Sequence, residues 1–597
     1  MHNADRIHPF ASGNERHCQT QNSEPAMPAI EPLGRVTTVS GSQVIAQFTA
    51  AASSVGDGDL EVTVGSLVGI RNGAALVVGT LCDITAERSA SGERRPEATG
   101  RIDLLGEIAA DKSGEKRFQT GIAAYPKIGS AVVGIGADEL QIVFGLASPS
   151  TIEVGHLQQN ASIAATVDVE ETVRKHFAIV GSTGSGKSSG LALILRKIMQ
   201  ARGDLRILLI DAHNEYADCF DGRAHVFSPA NLKLPFWLFN FDEIVQIVFG
   251  SRTRADHEVS LLAELIPLAK TEFARARSAL RSSYRAPQPD GGGRYTVDTP
   301  VPYRVEDVIA AAESRMGKLE NGDLAVQYQR LLMRINAVRK NPRYSFIFDD
   351  GSDANDSMVE ILCQLLRLKD DERPMAIVQL AGFPAETMEV IVSVLFRLAF
   401  EFGVWSDGLS PLLIVCEEAH NYANADRTLG FRAAREGLSR IAKEGRKHGV
   451  FLGLVTQRPH QLDPTLISQC STVFAMRLGH EDDQRIVRAA VSDSASRLLA
   501  FLPSLGTREA LVIGAGVPTV MRLRFEELPE NCIPKSQAVW GGDLECAKGI
   551  DEQMIATVVA RWRGTATSGK PAAAPPLADV RSRSSEAVSW SAPSYRG

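Results

Sequence analysis

The octet GSTGSGKS, Gly181 to Ser188, constrains the fold of this chain more than any other stretch. It has the full G-x-x-x-x-G-K-[ST] spacing, and it lies between an apolar run, FAIV, and an apolar-periodic helix, SGLALILRKIM. Glycines at these places let backbone N–H groups turn inward around β- and γ-phosphate oxygens at the start of the helix. Gly181, Thr183, Gly184, Ser185, Gly186, Lys187, Ser188 and Ser189 are therefore the candidate ATP-binding residues. Lys187 neutralises phosphate charge in this reading and Ser188 ligates Mg²⁺.

Such a loop needs a second strand that delivers acidic groups to the metal and to the attacking water. PLLIVCEEAHNYA, residues 411–423, is an apolar run that ends in two adjacent carboxylates. Glu417 is the candidate for holding Mg²⁺ or its water shell, and Glu418 for polarising the nucleophilic water. Two further strand ends point to the same crevice, because polar residues at the carboxyl edge of a parallel strand face the ligand. FLGLVTQRP ends in Thr456 and Gln457, and Gln457 is a candidate γ-phosphate sensor. LRILLIDAHNEY ends in Asp211; Asp211 and Glu215 either tune the site or, for Asp211, cap the next helix.

The rest of the chain divides by texture. Its 597 residues, 44% of them hydrophobic, are enough for several domains rather than one. Residues 1–32 are polar and lack the apolar segment of a secretory signal, so they read as a disordered leader. From 33 to 150, short Gly- and Val-rich runs separated by turn residues read as the strands of a small β-barrel or sandwich. From 151 to 250 strands alternate with helical patterns, as in a parallel α/β sheet. Residues 251–370 form a helical insertion with Leu262, Leu265, Ile266, Ala269 and Phe273 on one stripe. Its turn is APQPDGGGRY, and a later helix carries a capping box of Ser357 with Glu360. The acidic loop DDGSDAND lacks calcium-loop spacing and reads as solvated. Residues 371–530 complete the sheet, 531–563 follow as a brace, and 564–597 collapse to Ala, Pro, Ser and Gly, a disordered tail.

Eight scattered cysteines without a C-x-x-C pair point to a reducing cytoplasm rather than a disulfide or zinc framework. The most apolar segment, from Met388, is interrupted by Glu389, Arg397 and Glu401 and is too charged to span a bilayer. A net charge of −7 excludes a surface coated in positive charge, but a small basic lining remains compatible with nucleic acid.

Ahead of the last sensor strand runs FRAAREGLSRIAKEGRKHG, a basic helical segment. It sits where ring ATPases present an arginine to the neighbouring subunit's nucleotide; Arg446 is the first candidate and Arg440 the second. The order of barrel, GSTGSGKSS, DAHNEY, LPFWLFNFDE, EEAH, EGRKHG, TQRP and LISQC resembles the HerA family of hexameric DNA translocases over roughly residues 33 to 530. That resemblance implies a RecA-like P-loop ATPase core of the HerA/FtsK branch, with an N-terminal barrel of the HAS-barrel kind and a helical-bundle insertion. It assigns Lys187, Ser188, Glu418, Gln457 and Arg446 the roles given above. It also implies a cytoplasmic, six-membered ring on double-stranded DNA, working with a NurA-like nuclease in DNA repair or a sirtuin-like or nuclease effector in antiviral defence. Gln379 stands where the strand MAIVQLAG is expected to carry an acid. Two alternatives differ in kind: a membrane-linked DNA pump, and a protein-remodelling ATPase or assembly scaffold, which would suit the acidic net charge.

Overall fold

The computed structural model describes residues 32–48, 63–87, 97–146, 148–250, 256–281, 295–317, 322–348, 356–369, 372–426, 428, 432–490, 497–535, 555 and 559. Residues 1–31 of the leader, the Pro/Gly turn up to 294, acidic positions 349–355, most of the brace and the tail lie outside the described residues.

The N-terminal strands form a closed antiparallel barrel. Gln43–Phe48, Gly34–Ser40, Ala131–Gly134, Leu67–Asn72, Ala75–Glu87 and Glu97–Ala110 pair in that order, and Glu97–Ala110 pairs back onto Gln43–Phe48. Lys116–Thr120 hangs on the outside of the last strand. Alternation along each strand sends Val36, Val44, Val68, Ile70, Leu81 and Ile102 inward to one small core. Gly100 must be glycine, because a Cβ there would lie 2.5 Å from the Phe48 ring and 2.8 Å from Leu81. Leu67 N–H donating to Gln159 at 3.0 Å and the Arg497–Asp103 ion pair at 2.9 Å tie the barrel to the rest.

The second sheet has eleven strands. Seven run parallel in the order Ala224–Phe227, Met375–Gln379, Arg206–Asp211, Leu412–Cys416, Val450–Thr456, Phe177–Val180 and Thr472–Ala475. Four antiparallel strands extend it: Glu509–Gly514, Met521–Phe525, Thr151–Leu157 and Ala164–Asp168. The central strands are apolar throughout because both faces are covered. In Phe177–Val180, Ala178 and Val180 face one core while Phe177 and Ile179 face the other.

Among the described residues of the insertion, the α-helices Asp256–Arg281, Val305–Met316, Gly322–Arg339, Ser345–Phe348 and Met358–Leu365 share the first of those cores. Leu262, Leu265, Ile266 and Ala269 are buried in it, with Phe273 at its margin. The expected box at Ser357 does not form. Ser357 has φ −96° and ψ 13°, outside the extended conformation that aims an N-cap hydroxyl at the first turn, and it makes no side-chain cap.

A capping box forms instead where no prediction placed one, at Asn240 and Glu243, each side chain accepting the other's backbone N–H at 2.9 Å. Glu243 is fully buried and also accepts from Arg397 at 2.8 Å and Ser393 at 3.0 Å. Arg397 sits on Ala385–Trp405, the helix whose charges argued against a membrane span. Among the described residues no helix is long and apolar enough to cross a membrane. Arg397→Leu leaves Glu243 as an uncompensated buried charge, so it should destabilise this layer by about 3–5 kcal/mol, read as an earlier first transition in urea.

Candidate active site

Parallel register brings the chemistry to one edge. Val180 pairs with Thr456, Cys416 with Leu454, and Ile210 with Cys416, so the residues that follow these strands emerge side by side. The P-loop turns at Gly184 (φ 73°) and Gly186 (φ 99°) and runs into the helix Lys187–Ala201. Gly181 has no room for a side chain, since a Cβ would meet Met476 and Ser185 at 2.8 Å. Thr183 and Gly184 form the exposed crest, whereas Ser185 is buried and spends its hydroxyl on the Ser182 carbonyl at 2.7 Å. Ser182 in turn donates to the Arg477 carbonyl from both backbone and side chain.

Lys187 is buried, and desolvation lowers its pKa against the opposing pull of Glu418, Glu417 and Glu215. Glu417 follows its strand directly and is almost fully buried. Its Oε1 accepts from the Tyr216 hydroxyl at 3.2 Å and its Oε2 from Ala212 N–H at 3.1 Å. Burial, then the proximity of Asp211, Glu215 and Glu418, pushes its carboxyl up to about 8. Glu418 has φ 46°, a left-handed conformation that directs its carboxylate across to the next strand end. There it accepts from Gln457 N–H at 3.4 Å. Burial raises its pKa and the Lys187 charge opposes the rise. His420 Nδ1 lies 3.2 Å from Glu418 and 3.0 Å from Thr456 Oγ1. Burial pulls that imidazole down to about 4, so the contact is a neutral hydrogen-bond network rather than an ion pair.

Gln457 accepts from the Thr183 hydroxyl at 2.6 Å, which joins the third strand end to the P-loop crest. Asp211 does not cap a helix. Its carboxylate accepts the N–H groups of Glu215 and Tyr216, both at 3.1 Å, and holds the turn that presents Tyr216. Gln379 pairs beside Asp211 in the parallel register. Tyr216, unassigned by sequence reasoning, is fully buried and donates its hydroxyl to Glu417. The only sequence signal was its place five residues after Asp211 in DAHNEY.

Arg446 is elsewhere. Its guanidinium donates to the carbonyls of Lys175, at 2.7 Å, and Gln469, both of which precede strands whose far ends carry the site. It is therefore exposed at the amino-terminal edge of the sheet, away from its own P-loop. Arg440 stacks 4.2 Å from the Phe400 ring centroid.

Magnesium fits the residues present. Ser188 and Glu417 offer hard oxygen donors beside the phosphate cradle, and the crowded carboxylates that force Glu417 upward would be relieved by a cation. Held there by Ser188 and Glu417, a Mg²⁺ ion would supply charge neutralisation to the bound phosphates. Tyr216 holds Glu417, the candidate metal ligand, through its hydroxyl. Tyr216→Phe should leave metal-free ADP binding unchanged and raise the Mg²⁺ concentration for half-maximal ATP hydrolysis roughly tenfold, measured by titration.

Residues 152–399 match the family described as "Helicase HerA, central domain". The DNA double-strand break repair helicase HerA of Pyrococcus furiosus is 24% identical over 75% of this chain and 81% of its own. A probable HerA repair helicase of Methanocaldococcus jannaschii is 26% identical over 66% of this chain and 78% of its own. Among solved structures, VirB4 of Thermoanaerobacter pseudethanolicus aligns with a TM-score of 0.42 and 14% identity, over 65% of this chain and 99% of that one. With its P-loop and paired acids in the order described, the chain carries the HerA central domain over residues 152–399 and is an ATP-hydrolysing P-loop enzyme.

Proposed function

We propose that this ATPase is a helicase-like motor that moves double-stranded DNA, as a closed ring of six copies in the cytoplasm with ATP held between neighbours. The observation that carries the reading is the convergence of Lys187, Ser188, Glu417, Glu418 and Gln457 on one crevice at the carboxyl edge of the sheet. The cargo rests on relatives named as DNA double-strand break repair helicases. In this reading Glu418 polarises the attacking water from a buried position beside Lys187. Gln457, touching both Glu418 and Thr183, links the attack to the state of the γ-phosphate. A separate protein, a NurA-like nuclease or a sirtuin-like or nuclease defence effector, supplies any cutting of the DNA.

Arg446 completes the ring. Exposed on the edge opposite its own P-loop, it reaches the nucleotide of the next copy, and two backbone carbonyls fix its head for that purpose. An arginine supplied in trans contributes on the order of 10³–10⁵ in rate. Arg446→Ala should keep nucleotide binding and lose hydrolysis, and rings mixed with Glu418→Gln subunits should recover turnover at interfaces that pair the two intact halves. A full-rate Arg446→Ala enzyme sinks this role.

The deciding experiment is ATP hydrolysis by the wild type and Glu418→Gln, with and without linear duplex DNA. The motor reading expects stimulation by duplex and a mutant that binds ATP but turns over very slowly. Hydrolysis that depends on Glu418 yet ignores DNA would move the assignment to a protein-remodelling or scaffold ATPase.

A further inference from the structure

Beside the P-loop, the turn Gly506–Glu509 is built with unusual care. Glu509 accepts Gly506 N–H at 3.1 Å and is itself held by Arg522 at 3.0 Å. Arg508 N–H donates to the carbonyl of Ser185 in the P-loop at 2.8 Å, and its own carbonyl accepts Phe525 N–H at 2.9 Å. To make both bonds the backbone at 508 adopts φ 65°, a conformation that suits glycine and strains a long side chain. The chain nevertheless places an arginine there.

The side chain has a definite course. Its Cγ passes 3.2 Å from where a Cβ of Gly186 would sit, so the stem lies along the P-loop, and the guanidinium pairs with Glu527. Glu527 is 79% exposed and Arg508 only 23%, so the acid is a loosely held partner on the solvent side. The helix that begins at Lys187 has no acidic residue in its first turn. A cation beside that positive helix end is electrostatically unfavourable until an anion arrives.

We propose that Arg508 is a further nucleotide-binding residue, acting in cis: its guanidinium exchanges Glu527 for the phosphates of the nucleotide held by Gly186, Lys187 and Ser188. The proposal rests on the P-loop reading above. It accounts for the strained backbone, since glycine would meet the backbone requirement but could not carry the charge. It also gives the antiparallel half of the sheet a part in sensing occupancy, because the same residue bonds to Ser185 and to the Met521–Phe525 strand.

The test measures equilibrium binding of a fluorescent ADP to Arg508→Gly, Arg508→Lys, Glu527→Gln and Lys187→Ala, alongside thermal unfolding without nucleotide. Arg508→Gly should unfold no earlier than the wild type, because strain is relieved, yet bind ADP on the order of tenfold more weakly. Arg508→Lys should keep part of that affinity, and Glu527→Gln should bind more tightly than wild type. Wild-type affinity in Arg508→Gly overturns the proposal, as does a loss of affinity that is matched by a loss of thermal stability, which would mark a purely structural clamp. Lys187→Ala separates the two levels. If it binds ADP normally, the P-loop reading itself has failed; if it does not bind while Arg508→Gly does, only the arginine's role is lost.

Discussion

Parallel hydrogen bonding between Phe177–Val180, Val450–Thr456, Leu412–Cys416 and Arg206–Asp211 is the constraint on which the rest of this structure depends. Residues that are far apart in the chain become neighbours only because these strands start and stop in register. A slip of one residue would turn Val180 and Ala178 out of one core into the other and swing the P-loop away from Glu417 and Glu418. The apolar faces of the strands, buried on both sides, make that slip costly. Thus the packing of Ile, Leu and Val decides where carboxylates meet phosphate.

The crevice gathers acids around a single buried lysine. Asp211, Glu215 and Glu418 all push the buried Glu417 carboxyl upward, and the Lys187 charge opposes the rise at Glu418. Backbone N–H groups do much of the remaining work: Asp211 and Glu417 take theirs from the 212–216 turn, and Glu418 takes that of Gln457. A site of this kind suits a cation and a polyphosphate that arrive together. Left-handed residues cluster around it as well, with Asn214, Glu418 and Arg508 each turning the chain sharply next to the P-loop. Asparagine tolerates that conformation; glutamate and arginine do so at a cost that points to use of their side chains.

The barrel and the insertion stand back from this chemistry and are joined to it through packing. The insertion extends the core that lies under Ala178 and Val180, and the Glu243–Arg397 pair closes that layer. Short segments after the sheet reach the other side: Cys532 is buried, and Arg196 lies 3.2 Å from its sulfur and pairs with Asp221 at 2.6 Å. Lys535 pairs with Asp218 at 2.8 Å, close to the turn that carries Tyr216.

Much of the fold was legible from local pattern. The P-loop spacing, the apolar run ending in Glu417 and Glu418, and the strand ending before Gln457 each carry their own signal within ten or so residues. The same holds for the stripe from Leu262 to Ala269, because helical period and burial coincide there. What local pattern could not supply was partnership across the chain. Asp211 looked equally like a helix cap, Ser357 looked like one and was not, and Asn240 with Glu243 formed the box that was missed; in each case the backbone angles set by packing made the difference. Tyr216 and Arg508 have no motif of their own, and their importance comes from a bond to Glu417 and a bond to Ser185. The sequence by itself determined which residues could hold a nucleotide, because phosphate binding needs glycines, a lysine and a hydroxyl at short fixed spacing. Only the tertiary structure decided that Tyr216 and Arg508 stand beside them, because strand register and shared burial bring together residues that lie as far as three hundred positions apart.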